Sequence, residues 1–150
     1  MALRVETEVE LKSPPEKLYK LVQKEAHLWP AASPNNLQAV ELHEGDWETH
    51  GSVKLWSYTF EGKTETFKER IELDDENLKV TLVGVDGDVF QYYKSYKVIF
   101  HYVPKGEGSL ANLALEYEKL REDVPDDLIK KYLDLIVSCT KDKDAYLLKA

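Results

Sequence analysis

Two lysines stand among aromatic residues in strand-like parts of this chain. Lys54 alternates with Trp56 and Tyr58. Lys94 alternates with Tyr96 in the same way, and a two-residue period predicts that each amine shares a face with the rings. A lysine on an apolar face loses solvation, which suits its amine to bind an acidic group or to move a proton. A second interpretation places both lysines at the rim of that face, with their amines in solvent.

The histidines and the single cysteine offer less chemistry. None of the four histidines has the spacing of a metal-binding motif, so neither a metal site nor a cofactor is predicted. His27 borders a short predicted helix and joins Lys54 and Lys94 as a third candidate for acid–base catalysis. Cys139 is more typical of a small buried apolar residue than of a nucleophile.

Bulk composition narrows the class of protein. One hundred and fifty residues fit a single domain, here residues 1–150, and 43% hydrophobic content is typical of a globular chain. The net charge of −8 argues against a nucleic-acid partner, which prefers a basic surface. No signal peptide or membrane span is recognisable. We therefore expect a cytoplasmic protein, monomeric or weakly dimeric, with no membrane partner.

A glycine-containing loop covers residues 43–53. Gly45 and Gly51 allow sharp turns, and loops of this kind can surround a phosphate with backbone N–H groups. The carboxylates of Glu44, Asp46 and Glu48 would repel a phosphate, and no lysine follows the second glycine as in a nucleotide-binding loop. The preferred interpretation is a rigid structural turn.

The first quarter of the chain predicts one strand and two short helices. Residues 5–11 alternate apolar and polar side chains, as in a half-buried strand. Ser13 and Glu16 have the spacing of a capping box at the start of the first helix. The second helix is predicted over residues 25–29 and is expected to end at Pro30.

Six further strands and one long helix follow. The helix begins after Pro125, runs for roughly 24 residues and carries apolar side chains at steps of three and four. A curled sheet can bury such a helix in its concave face. The six strands, separated by short turns, are predicted at residues 37–42, 52–60, 64–73, 78–85, 89–103 and 109–120.

This order and several local motifs resemble the major latex protein branch of the Bet v 1 / pathogenesis-related-10 superfamily. The resemblance implies an α+β helix-grip fold: a seven-stranded curved antiparallel sheet around a long C-terminal helix, with two short helices after strand 1. It covers essentially the whole chain. The best-matching segments are Asn36-Leu37-Gln38, the loop 43–53, Lys68-Glu69-Arg70-Ile71, Gly87-Asp88, Tyr93-Lys94-Ser95-Tyr96 and Glu116-Tyr117-Glu118-Lys119-Leu120.

The resemblance further implies an internal cavity that binds a small hydrophobic ligand. The expected function is carriage of hydrophobic or amphipathic plant metabolites in defence or stress response. Inward-facing strand and helix residues are the expected ligand contacts: Trp56, Tyr58, Leu82, Tyr96, Val98, Leu113, Leu115, Tyr117, Tyr132, Leu135, Ile136 and Cys139.

Other interpretations of the same residues stay open. Alternating aromatic residues also occur in a completely filled core. A cofactor-free enzyme of alkaloid metabolism, such as an isomerase or cyclase, would use the same cavity. A receptor-like module that recruits a protein on ligand binding is a third possibility, and a nuclease is disfavoured by the acidic charge.

Overall fold

A computed structural model describes residues 2–149 of the chain. Three α-helices are present, with short 3-10 turns at Ala26–Leu28 and Asp88–Gln91: α1 (Pro15–Gln23), α2 (Trp29–Ala32) and α3 (Leu128–Lys149). The strands are β1 (Leu3–Leu11), β2 (Leu37–Glu44), β3 (Val53–Phe60), β4 (Lys63–Asp74), β5 (Lys79–Gly87), β6 (Tyr93–Lys105) and β7 (Gly108–Lys119).

All seven strands belong to one antiparallel sheet. Its order is β1-β7-β6-β5-β4-β3-β2, so the strands from β2 to β7 are joined in succession and β1 pairs with β7. Short hairpins make such a meander because each strand pairs with its neighbour in the chain. The predicted helix-grip architecture, with seven strands, short helices after the first strand and a long C-terminal helix, is confirmed.

Helix α3 is fixed to the sheet near both of its ends. Near its start, the Tyr132 ring stacks on Phe60 of β3, with ring centroids 4.0 Å apart and an interplanar angle of 7°. Near its end, the carboxylate of Asp144 accepts the backbone N–H groups of Lys12 and Ser13 at 3.0 and 2.9 Å. The helix therefore reaches from β3 to the residues that follow β1.

The predicted capping box of α1 is wrong. Pro14 occupies the N-cap position and no side chain caps the helix. Ser13 lies one residue earlier, and its hydroxyl oxygen has no hydrogen-bond partner within residues 2–149. A carboxylate from α3 binds the Ser13 backbone instead, and local sequence spacing cannot reveal such a long-range partner.

Pro30 begins a helix rather than ending one. The predicted helix over residues 25–29 is a 3-10 turn, and α2 then starts at Trp29 with Pro30 in its first turn. Proline fits this position because the first-turn N–H groups have no partner within a helix.

The predicted strand 89–103 starts later than expected and contains an irregularity. Its first residues form the 3-10 turn, and β6 then begins at Tyr93. The pairing with β7 shifts by one residue between Tyr93 and Ser95, so Lys94 has no paired partner in the ladder. Such a bulge keeps Tyr93 and Tyr96 on the same buried face and turns Lys94 outward. The prediction that Lys94 shares the concave face is therefore wrong.

We predict that Asp144→Ala lowers the free energy of unfolding by about 2–4 kcal/mol, because two backbone N–H groups lose their acceptor. Urea denaturation followed by circular dichroism measures this change. Asp134→Ala is the matched control, since Asp134 is exposed on the same helix, and it should change stability by less than about 0.5 kcal/mol. Equal effects of the two substitutions would contradict the assigned role of Asp144.

Candidate functional site

A cavity of about 70 Å³ lies between the sheet and α3. Its wall is almost entirely apolar, because inward-facing residues of β3 to β6 meet the buried face of the helix. Leu135 and Ile136 of α3 are half-buried, whereas the other residues of the wall are buried. Nine of the twelve residues predicted to contact a ligand line this cavity: Trp56, Tyr58, Leu82, Tyr96, Val98, Tyr132, Leu135, Ile136 and Cys139.

Three predicted ligand contacts lie outside the cavity, and their assignment is corrected here. Leu113, Leu115 and Tyr117 of β7 are buried but do not line it. Helices α1 and α3 both contact β7, so this side of the concave face is filled by packing. The Tyr117 ring, for example, meets the Tyr93 ring edge-on with centroids 5.3 Å apart.

Six residues of the cavity wall were missing from the predicted set. Phe67 and Phe100 follow the strand alternation, and Lys143 follows the helical spacing, so a broader use of the same patterns would have included them. Trp29 could not be found in this way because it lies on the short helix α2. The six are Trp29, Leu37, Phe67, Val89, Phe100 and Lys143.

Two tryptophans form one side of the cavity. The rings of Trp29 and Trp56 stack with centroids 4.7 Å apart. Each indole N–H has an acceptor: Trp29 Nε1 donates to the Leu21 carbonyl at 2.9 Å, and Trp56 Nε1 donates to Glu69 Oε1 at 3.0 Å. The polar atoms of both rings are therefore used in the structure, and their faces remain available for apolar contact.

A carboxylate bridges two cavity tyrosines. The hydroxyls of Tyr58 and Tyr132 each donate to Glu65 Oε1 at 2.9 Å. Burial, together with the charge of Glu65, raises the pKa of both hydroxyls. They stay protonated at neutral pH, and this bridge joins α3 to β3 and β4.

Lys143 is the basic side chain of the cavity wall. It is 1% exposed, and its Nζ lies 3.4 Å from the centroid of the Trp29 ring and 4.6 Å from that of Phe100. Burial lowers the pKa of the Lys143 amine to about 7, and the neighbouring Cys139 opposes this only in part. Within residues 2–149 the amine has no hydrogen-bond partner.

The three predicted acid–base candidates do not line the cavity. Lys54 faces inward beside Trp56, as the alternation predicted, but it is 1% exposed, so the interpretation that its amine reaches solvent is wrong. Lys94 is exposed and lies 4.0 Å from Glu118. His27 is also exposed, and its ring packs 5.4 Å from that of Trp47.

Lys54 and Glu69 form a buried charged cluster beside the cavity. Burial lowers the pKa of Lys54, and the charge of Glu69 opposes that shift. Burial likewise raises the pKa of Glu69 to about 7, against the Trp56 hydrogen bond and the charge of Lys54. The Lys54 amine also lies 6.0 Å from the centroid of the Trp47 ring. This cluster supports Trp56 from behind, since Glu69 fixes the indole N–H.

The acidic groups of loop 43–53 bind the loop itself. The Asp46 carboxylate accepts the backbone N–H groups of Glu48 and Thr49 at 2.9 and 2.7 Å and the Thr49 hydroxyl at 2.8 Å. Gly45 has a positive φ of 78°, and a Cβ there would lie 2.3 Å from Ser52 Oγ. Glycine is therefore required for this turn.

Two searches of the described residues gave no candidates. No group of three or more His, Cys, Asp or Glu side chains in residues 2–149 is placed to hold a metal ion. No helix in the same part of the chain is long and apolar enough to cross a membrane.

The fold and the cavity match a known family. The family model of the pathogenesis-related protein Bet v 1 family matches residues 1–150, and the chain belongs to this family, in its major latex protein branch. MLP-like protein 328 of Arabidopsis thaliana is 41% identical over 96% of this chain and 95% of its own length. Major latex protein 149 of Papaver somniferum is 35% identical over 97% of this chain and 89% of its own length.

Solved structures give the same result. Ginseng major latex-like protein 151 from Panax ginseng superposes with a TM-score of 0.91 at 34% identity, over 97% of each chain. Norcoclaurine synthase from Thalictrum flavum superposes with a TM-score of 0.82 over 100% of this chain and 88% of its own. At 16% identity, the second comparison shows a shared fold alone.

We predict that Glu69→Gln changes how stability depends on pH. A carboxyl whose pKa is raised by folding stabilises the protein below its unfolded pKa, here 4.5, and this stabilisation is lost as pH rises through about 7. Glutamine keeps an acceptor for Trp56 but does not ionise. The stability of the variant relative to the unsubstituted protein should therefore increase by about 2 kcal/mol between pH 5 and pH 8.

Urea denaturation at pH 5, 6, 7 and 8 measures this difference. Glu72→Gln is the matched control because Glu72 is exposed on the same strand. Its stability should follow that of the unsubstituted protein at every pH. Parallel curves for Glu69→Gln and the unsubstituted protein would show that Glu69 does not titrate in this range.

Proposed function

We propose that this protein binds and carries small hydrophobic or amphipathic plant metabolites in the cavity between the sheet and α3. The observation that carries the proposal is an apolar cavity, walled by aromatic rings and lined by a few polar groups, in a member of the Bet v 1 family. Apolar walls with few polar groups are typical of small-molecule sites. Binding would come mainly from burial of apolar surface, at about 25 cal/mol per Å².

The size of the cavity defines how a ligand binds. At about 70 Å³ it is several-fold smaller than the roughly 300–1,000 Å³ of typical ligand sites. A metabolite larger than a few non-hydrogen atoms therefore binds by displacing side chains of the wall. Leu135 and Ile136 are the half-buried members of that wall, so we place ligand access beside them.

The polar groups of the wall define the orientation of an amphipathic ligand. The bridged hydroxyls of Tyr58 and Tyr132 lie toward the start of α3. The Lys143 amine lies eleven positions further along the same helix. A ligand that bears one polar end and one apolar body can place its polar end against either group, and the rings between them contact the body.

Carriage is favoured over catalysis by the positions of the predicted acid–base groups. Lys54, Lys94 and His27 all lie outside the cavity wall, and none can reach a ligand there without rearrangement. A cofactor-free isomerase or cyclase would depend on Lys143 and on the tyrosine hydroxyls instead. We further propose that the protein acts as a monomer or weak dimer in the cytosol, in defence or stress response.

Native mass spectrometry tests the proposal directly. The purified protein is incubated with a plant tissue extract and desalted, and any retained compound is identified. An intact metabolite retained at one per chain is the expected result. Release of a chemically changed compound on turnover would favour the enzyme. Retention of nothing from any extract, together with no binding of the flavonoid used below, would refute the proposal.

We predict that Ile136→Trp weakens binding of the flavonoid quercetin at least about ten-fold, since the indole would occupy the cavity beside its access point. Ile136→Ala should strengthen binding by enlarging the same space. Isothermal titration calorimetry measures both.

Val137→Trp is the matched control. Val137 is half-buried on the same helix but does not line the cavity, so its replacement should leave the dissociation constant within about two-fold. Equal losses for the tryptophan variants at positions 136 and 137 would place the flavonoid outside the cavity.

A further inference from the structure

The buried amine of Lys143 has none of the partners that normally accompany a buried lysine. Among residues 2–149 its Nζ has neither a hydrogen-bond acceptor nor a carboxylate within ion-pair distance. It lies instead over the Trp29 ring, at 3.4 Å, and near the Phe100 ring, at 4.6 Å. Aromatic faces attract a cation but cannot take its proton, so they hold the amine without neutralising it.

The acidic neighbours of Lys143 on α3 are directed elsewhere. The Asp142 carboxylate accepts the Ser33 hydroxyl at 2.6 Å, and the Asp144 carboxylate accepts backbone N–H groups that follow β1. Cys139, one turn earlier, is the titratable group that acts on the Lys143 amine, and burial raises the pKa of its thiol. The groups that face Lys143 from α2 and β6 are aromatic rings. The amine is therefore isolated and directed at the cavity.

Burial makes this amine chemically different from the other lysines of the chain. With a pKa of about 7, roughly half of the Lys143 side chains are uncharged at neutral pH. An exposed lysine with a pKa near 10.4 is uncharged in fewer than about one molecule in a thousand. Only an uncharged amine has a lone pair available for attack on carbon.

We propose that Lys143 binds small aldehydes or ketones in the cavity as a reversible imine. The inference rests on the proposed function, since the ligand occupies the same cavity. The lone pair of Nζ attacks the carbonyl carbon and gives a carbinolamine. The carbonyl oxygen then leaves as water with the two hydrogens of the amine, and a C=N double bond remains. Addition of water reverses the reaction, and no oxidant or reductant is consumed.

A carbonyl ligand fits this site better than an acidic one. Imine formation joins two uncharged groups into an uncharged product, so no ion has to be transferred into the apolar cavity. A carboxylate ligand would bring a second charge into the cavity and lose its own solvation. The apolar wall also limits access of the water that hydrolyses the imine.

Reductive trapping tests the proposal. The full-length protein is incubated at pH 7 with butanal, a short aldehyde suited to the small cavity, and with sodium cyanoborohydride, which converts an imine into a stable secondary amine. Intact mass and peptide mapping then follow labelling over time. Lys143 should be labelled at least about ten-fold faster than Lys141, an exposed lysine on the same helix.

Two substitutions control the experiment. Lys143→Met should abolish the fast label, whereas Lys141→Met should leave it unchanged. Circular dichroism verifies that both variants fold, and peptide mapping of the unsubstituted protein tests the proposal even if one does not. Labelling of Lys143 no faster than of exposed lysines would overturn the proposal. So would Lys143-dependent binding of butanoate without any butanal adduct, because the amine would then be a counter-ion for acids.

The trapping result can be separated from the proposed carrier function. If quercetin binds and Ile136→Trp weakens its binding, but butanal labels no lysine selectively, the imine is refuted and carriage stands. If neither quercetin nor butanal binds, both proposals are refuted. Selective labelling of Lys143, lost in Lys143→Met, supports the imine.

Discussion

The attachment of α3 across the concave face of the sheet is the constraint on which this molecule depends. The helix is held near its start by the Tyr132 hydroxyl on Glu65 and by the stack on Phe60, and near its end by Asp144 on the residues after β1. Between these attachments the helix bridges the sheet, and side chains alone decide how much space is left. The cavity exists because both ends are fixed while the middle is not completely filled.

Large aromatic residues bring the molecule close to a filled core. The stacks of Trp29 on Trp56 and of Phe60 on Tyr132 bury large flat surfaces, and the space that remains is about 70 Å³. Well-packed interiors leave few voids of this size, and each void forgoes dispersion contacts along its wall. A ligand restores these contacts, but one larger than the void must displace a ring. The balance between the two terms favours small or flat ligands and disfavours bulky ones.

Regular periodicity accounts for most of what could be predicted from the sequence. Alternation along β3, β5 and β6 placed Trp56, Leu82 and Val98 on the cavity side, and the helical spacing placed Ile136 there too. The failures arose where non-local partners override local pattern. A bulge in β6 turned Lys94 outward, and a carboxylate of α3 replaced the expected cap at Ser13. Strand alternation also cannot show which part of a concave face is covered by another helix, which is why the β7 residues were placed in the cavity.

The two buried lysines show how surroundings rather than residue type decide what an amine can do. Lys54 lies near Glu69, whose charge opposes the effect of burial on its pKa, and both groups remain outside the cavity wall. Lys143 has no carboxylate to perform that function, and its amine faces the cavity across two rings. A buried ionisable group that remains uncompensated costs stability, whereas a well-packed apolar side chain in its place would not. An amine kept under those conditions, in the wall of the cavity, is one whose chemistry requires a ligand to complete it.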